Sequence, residues 1–164
     1  MTLPCGSLIS NQEVAYMNDR IEKQIDLKAP VERVWHALTD HEAFGEWFRV
    51  KLDGPFVKGE VSSGHITWPG YEHLRWEAKI ERMDAPRIFA FTWHPAAIDT
   101  SVDYSKETPT LVEFRLEPIA GGTRLTVVES GFNGLPKHRL GDAMRMNDEG
   151  WTVQMENIRH YVES

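Results

Sequence analysis

From Ile21 the chain alternates, with Ile21, Ile25 and Leu27 on one face and Glu22, Gln24 and Asp26 on the other, which predicts a β-strand. Ala29-Pro30 ends it, since proline suits the first turn of a helix and not a ladder. Val31, Val34, Trp35 and Leu38 then recur at helical spacing, and Asp40 is placed to cap a second short helix holding Ala43, Phe44 and Trp47. Beyond Trp47 the pattern has period two between glycine and proline breaks. Leu74, Trp76, Ala78 and Ile80 form one apolar set, Phe89, Phe91 and Trp93 another, and Val112, Phe114 and Leu116 a third. Leu125 and Val127 continue it after Gly121-Gly122, a hairpin signal. Last come Met144, Trp151, Met155, Ile158 and Val162, one face of a long helix starting near Pro136. Gly141 is expected to interrupt its first turns, and Arg145 to pair with Glu149 on its exposed side. Gly150 costs that helix about 1 kcal/mol relative to alanine, which marks a place where a larger side chain meets the sheet, a tryptophan or a ligand.

Clean alternation predicts antiparallel strands with one wet and one covered face, and the terminal helix is the element that covers them. The order strand, two short helices, about six strands, long helix gives an α+β fold, with the helices on one side of the sheet. The expected architecture is a curved antiparallel sheet gripping the C-terminal helix and enclosing a cavity for a small apolar ligand. Residues 1–20 are weakly patterned and read as an arm, leaving 21–164 as one domain.

At 164 residues the chain is long enough to bury roughly 70% of its unfolded surface without staples. A net charge of −7 and no lysine or arginine run argue against nucleic acid, which demands a cationic footprint. Cys5 is the only cysteine, so no intramolecular disulfide and no cysteine-based zinc site can form. No basic start followed by a long apolar run opens the chain, and no stretch of about 18 apolar residues crosses a membrane. The expected location is the cytoplasm, with no membrane partner.

Several phrases then fall in one order: Ala29-Pro30-Val31-Glu32-Arg33-Val34-Trp35 with Ala37-Leu38-Thr39-Asp40, then Trp47-Phe48, Ala85-Pro86-Arg87 before Phe91-Thr92-Trp93, Gly121-Gly122-Thr123-Arg124-Leu125-Thr126, Ser130-Gly131-Phe132, and Asn147 with Gly150-Trp151. In that order they resemble the START-like (SRPBCC), or helix-grip, superfamily, and within it the branch related to the activator of heat-shock-protein-90 ATPase. The resemblance spans roughly Ile21 to Val162. It implies a seven-stranded sheet around the last helix with a cavity between them. It implies no common catalytic residue, because members range from lipid carriers to cyclases and co-chaperone domains.

Candidate chemistry centres on the covered face. Trp76, Phe91, Trp93 and Phe114 lie there by parity and Trp151 by helical spacing, while Phe44, Trp47 and Phe56 are placed to close one end. Such rings either line a pocket or pack on one another as solid core. Glu129 continues the inward parity of Leu125 and Val127, and a buried carboxylate demands partners. It is the one candidate for a catalytic acid or base, or for a ligand anchor. His65 in the third strand and His94 after Trp93 are the histidines able to approach it, though no ligand spacing supports a metal and partly exposed neutral rings are expected. Asn147, three residues after Met144 and four before Trp151, directs an amide toward the cavity. No nucleophile elbow, phosphate loop or dinucleotide fingerprint is present, so no cofactor is implied.

The expected function is therefore binding of a small hydrophobic or aromatic molecule, without catalysis. The alternatives are an enzyme of the cyclase, dehydratase or hydrolase kind using the same cavity, and a chaperone-ATPase activator-like interaction protein. An exposed edge strand also offers a route to a homodimer.

Overall fold

The computed structural model of the chain describes residues 19–164. Cys5 and nearly all of the N-terminal arm lie outside the described residues. β1 (Arg20–Leu27) leads into α1 (Val31–Thr39) and α2 (His41–Phe48), followed by β2 (Val50–Leu52), β3 (Val61–Ile66), β4 (Arg75–Asp84), β5 (Ile88–Trp93), β6 (Thr110–Ile119), β7 (Gly122–Ser130) and α3 (Lys137–Glu163). All seven strands join one antiparallel sheet in the order β1-β7-β6-β5-β4-β3-β2. The class is α+β and the sheet grips α3, as the alternation predicts.

The local reasons are legible. Asp40 closes α1 and caps α2, its carboxylate accepting from the Ala43 N–H at 2.9 Å. Gly121 turns β6 into β7 with φ of +80°, and a Cβ on Gly122 would stand 1.9 Å from the Leu27 carbonyl oxygen, so the close approach of β1 admits no side chain there. On α3 the residues Ala143, Trp151, Met155, Ile158 and Val162 are buried, with Met144 partly buried against the core. Two details differ from expectation. α3 runs unbroken past Gly141, where the missing side chain faces open space and costs only helix propensity. Arg145 pairs with Asp142 on the preceding turn at 2.9 Å, not with Glu149, an equally near neighbour on a helix surface.

The interior beneath α2 and α3 is filled by rings. Phe44 stacks on Phe48 at 4.7 Å between centroids and meets Trp47 and Phe56 edge-on at 5.0 and 5.3 Å. Phe56 continues to Phe89 at 5.2 Å, and Phe91 to Trp93 at 5.3 Å. Each such pair adds about 0.5–1.5 kcal/mol to the area it buries. The Trp47 indole N–H also donates to the Ala37 carbonyl at 2.7 Å, tying α2 to α1. No helix among the described residues is long and apolar enough to cross a membrane.

Candidate functional site

Glu129 is the one ionisable side chain fully buried among the described residues. Its place follows from register. On β7 it stands opposite Val112 of β6, and two residues back along β6 on the same face is Thr110, itself opposite Trp93 at the end of β5. Across the sheet lies the middle of α3, where Asn147 and Trp151 are one turn apart. Three strand ends and one helical turn thus converge on a single carboxylate. Its Oε2 accepts from the Trp93 indole N–H at 2.7 Å and the Thr110 hydroxyl at 2.6 Å, and its Oε1 from the Asn147 amide and the Trp151 indole N–H, each at 2.8 Å.

Burying a charge is costly unless hydrogen bonds replace its water. Here four donors occupy the roughly four accepting positions of a carboxylate, and an indole N–H can only donate. The site therefore sets one indole N–H on each oxygen, so both oxygens act as acceptors. It leaves no lone pair for a substrate, and Glu129 lines neither of the spaces described next. Its role is to fix Trp93, Asn147 and Trp151 in one arrangement, with the two indoles 5.8 Å apart and tilted by 30°.

Those fixed side chains form the wall of a cleft of about 600 Å³ at the open end of the grip. Phe48, Trp76, Trp93 and Asn147 line its inner side, and the segment from His94 to Ser105, with Ile98, Val102 and Tyr104, lines the other. A recess of about 100 Å³ adjoins it, bounded by Phe48, Trp93, Asn147, Gly150, Trp151 and Gln154. Gly150 is exposed and a Cβ added there meets nothing within 4 Å, so neither the sheet nor a tryptophan requires this glycine. The 600 Å³ lies within the range of small-molecule pockets.

The sequence candidates divide between wall and core. Trp76, Trp93, Asn147 and Trp151 are brought together at the cleft and its recess. Phe44, Phe56, Phe91 and Phe114 pack behind it in the ring cluster, between 0% and 7% exposed, and line neither space. Trp47 faces a separate groove of about 540 Å³ between α2 and the end of α3, with Tyr161 and Asn157. His65 is exposed on the outer face of β3, on the parity opposite to buried Ser62 and Gly64, and so turned away from Glu129. His94 is half-buried on the cleft wall. Among the described residues no three His, Cys, Asp or Glu side chains are close enough to hold a metal ion.

Sequence reasoning missed Phe48, Thr110, Tyr104 and Arg139. Arg139, on the first turns of α3, holds the far wall. It donates to the Glu107 carboxylate at 2.7 Å, to the Ala96 and Pro95 carbonyls at 3.1 and 2.9 Å, and lies 4.7 Å over the Tyr104 ring. Within that wall Ser105 donates from both hydroxyl and backbone N–H to Asp103, holding its carboxyl below the ordinary aspartate value, with His94 adding a smaller electrostatic pull. No periodicity marks a residue whose partners lie in an irregular loop. Arg139→Ala removes these bonds from a pair only 15% and 12% exposed, and is expected to cost about 2 kcal/mol. Amide hydrogen exchange across residues 95–107 should accelerate in that variant; unchanged exchange would mean the segment is held by something else.

Comparison with known proteins agrees with the fold. The family described as Activator of Hsp90 ATPase homolog 1-like protein matches residues 28–163. No match is found among curated protein sequences. Among solved structures, protein MLL2253 from Mesorhizobium loti superposes with a TM-score of 0.69 at 21% identity, over 88% of this chain and 96% of that one. The Aha1 dimer from Colwellia psychrerythraea gives 0.65 at 18% identity, over 88% and 96%. CalU16 from Micromonospora echinospora gives 0.60 at 21%, over 87% and 75%. At such identities the likeness is one of fold.

Proposed function

Since the chain belongs to the Activator of Hsp90 ATPase homolog 1-like family, within the START-like helix-grip superfamily, and carries an aromatic-walled cleft at the open end of that grip, we propose that it binds a small, largely aromatic molecule there without transforming it. The observation that carries this reading is the Glu129 network. A buried charge is spent on holding two indoles and an amide at the rim of a cleft, and a binding site with pre-set walls loses less on ordering its ligand. A closed core needs no such device, because rings alone fill it.

The same observation sets binding above catalysis. The carboxylate best placed to act as acid or base is saturated by donors and shielded from the cleft. The activator-like interaction role and a homodimer remain the alternatives. We place the protein in the cytoplasm, because a single cysteine permits no intramolecular disulfide and suits a reducing compartment.

The test is a thermal-shift screen against flavonoids, polyketide-like aromatics, sterols and fatty acids. An aromatic ligand at about 100 times its Kd should add about 2.7 kcal/mol, which for a domain of this size is a rise of roughly 5–11 °C. A flat response across the panel would overturn the reading.

A further inference from the structure

The recess beside the cleft is bounded by three rings, two amides and a glycine: Phe48, Trp93, Trp151, Asn147, Gln154 and Gly150. Trp93 and Trp151 lie 5.8 Å apart, and Phe48 stands 6.2 Å from each, inclined to them by 58° and 61°. The three rings therefore meet as a corner and not as one stack. Both indoles donate their N–H to Glu129, and hydrogen bonds polarise the groups that make them, which leaves these indole rings richer in electrons. Gly150 keeps the α3 side of the recess open at a cost in helix propensity, although a Cβ there would meet nothing within 4 Å.

Asn147 supplies the polar group. Glu129 Oε1 accepts from it, so the amide nitrogen faces the carboxyl group and the amide oxygen is turned elsewhere. That oxygen takes no hydrogen bond from the described residues, yet it is not sealed in, and half-buried Asn147 lines both recess and cleft. Gln154, the other amide, is committed to the Phe48 carbonyl and to Asn157. The charges around these spaces leave one sign over. Arg75 is paired with Glu77 at 3.0 Å and Arg139 with Glu107 at 2.7 Å, whereas Asp103 is held by Ser105 and has no lysine or arginine partner among the described residues. The chain as a whole carries −7. An anion would find no uncommitted lysine or arginine on this lining, and a cation would find a favourable field.

We propose that the recess takes a protonated amine, and that the ligand is an arylalkylamine: a planar aromatic body in the cleft, joined by a short chain to an ammonium group beside Asn147. This rests on the cleft being a ligand site. Electron-rich rings attract a cation, indoles most strongly. An ammonium group can only donate, and so answers an amide oxygen that can only accept. The recess of about 100 Å³ suits that small head, while the cleft of about 600 Å³ holds the body. A hydroxyl would satisfy the amide oxygen and gain nothing from the rings; a carboxylate would satisfy neither.

The experiment compares three probes with one aromatic body, 2-(2-naphthyl)ethylamine, 2-(2-naphthyl)ethanol and 2-naphthylacetic acid, by fluorescence titration of the full chain at pH 7. The amine should bind about tenfold more tightly than the alcohol, and the acid more weakly than either. Two variants locate the head. Asn147→Leu removes the acceptor, and Gly150→Phe fills the recess without touching the Glu129 network, so it decides the matter if Asn147→Leu fails to fold by circular dichroism. In each folded variant the advantage of the amine over the alcohol should drop to under about threefold. An alcohol or acid that binds the parent as tightly as the amine would overturn the inference and leave the aromatic cleft intact. A tenfold advantage that survives in either folded variant would also overturn it, placing the cationic head elsewhere. No saturable binding by any of the three, nor by 2-naphthol as the bare aromatic body, would remove the underlying reading as well.

Discussion

Replacing Glu129 by alanine should lower the free energy of unfolding by about 4 kcal/mol, because it leaves four donors facing an apolar hole. Unpaired buried groups cost about 1–3 kcal/mol each, and partial collapse or entry of water recovers some of that sum. For a domain of this size the change corresponds to a fall in Tm of roughly 8–16 °C. Glu129→Gln is the more telling substitution, since it keeps volume and shape. Its amide oxygen can serve one pair of donors, but its NH2 then confronts an indole N–H that can only donate, whichever way the amide lies, so about 2 kcal/mol of the loss should persist. Near-ultraviolet circular dichroism should change in both variants as Trp93 and Trp151 lose their fixed geometry. A glutamine variant as stable as the parent, with unaltered aromatic ellipticity, would show that the carboxylate organises nothing.

The second large effect is on binding, and it is designed to leave stability intact. Gly150 is exposed, lies within α3 and borders the recess beside Trp93 and Trp151, with open space where a Cβ would go. Gly150→Ala should therefore raise stability by about 0.5–1 kcal/mol through helix propensity alone. Gly150→Phe should keep the fold, fill the recess of about 100 Å³, and weaken an aromatic ligand at least about tenfold. Gly141→Ala is the control, since that glycine also faces open space but lines neither the cleft nor the recess, so it should gain stability without touching affinity. Undiminished binding to Gly150→Phe would place the ligand away from α3.

How much of this the sequence discloses depends on whether periodicity encodes it. The strands, the two short helices and the apolar face of α3 follow from spacing, because period two and period 3.6 are properties of the backbone. Inward parity likewise put Glu129 and Trp93 on one side of the sheet, and helical spacing put Trp151 and Asn147 near them. Parity cannot tell depth. Phe91 and Phe114 share a covered face with Trp76 and Trp93, yet the first two are fully buried in the ring cluster and the last two reach the cleft. The difference lies in distance from the open end of the grip, which depends on sheet curvature and on which ring fills which gap. Arg139 and Tyr104 were illegible for another reason. Their role is to anchor an irregular segment, and the residues between Trp93 and Thr110 carry no repeat from which contacts can be counted.

The most direct test of the account follows the six indole N–H signals of the tryptophans by NMR as 2-naphthol is added, each assigned by a single Trp→Phe change. The Trp76 and Trp93 signals should shift in a saturable way, while that of Trp35, on α1 and outside the cleft lining, stays in place. Shifts confined to Trp47, or no saturable shift at all, would contradict it, because the aromatic cleft at the open end of the grip would then not be where the molecule binds.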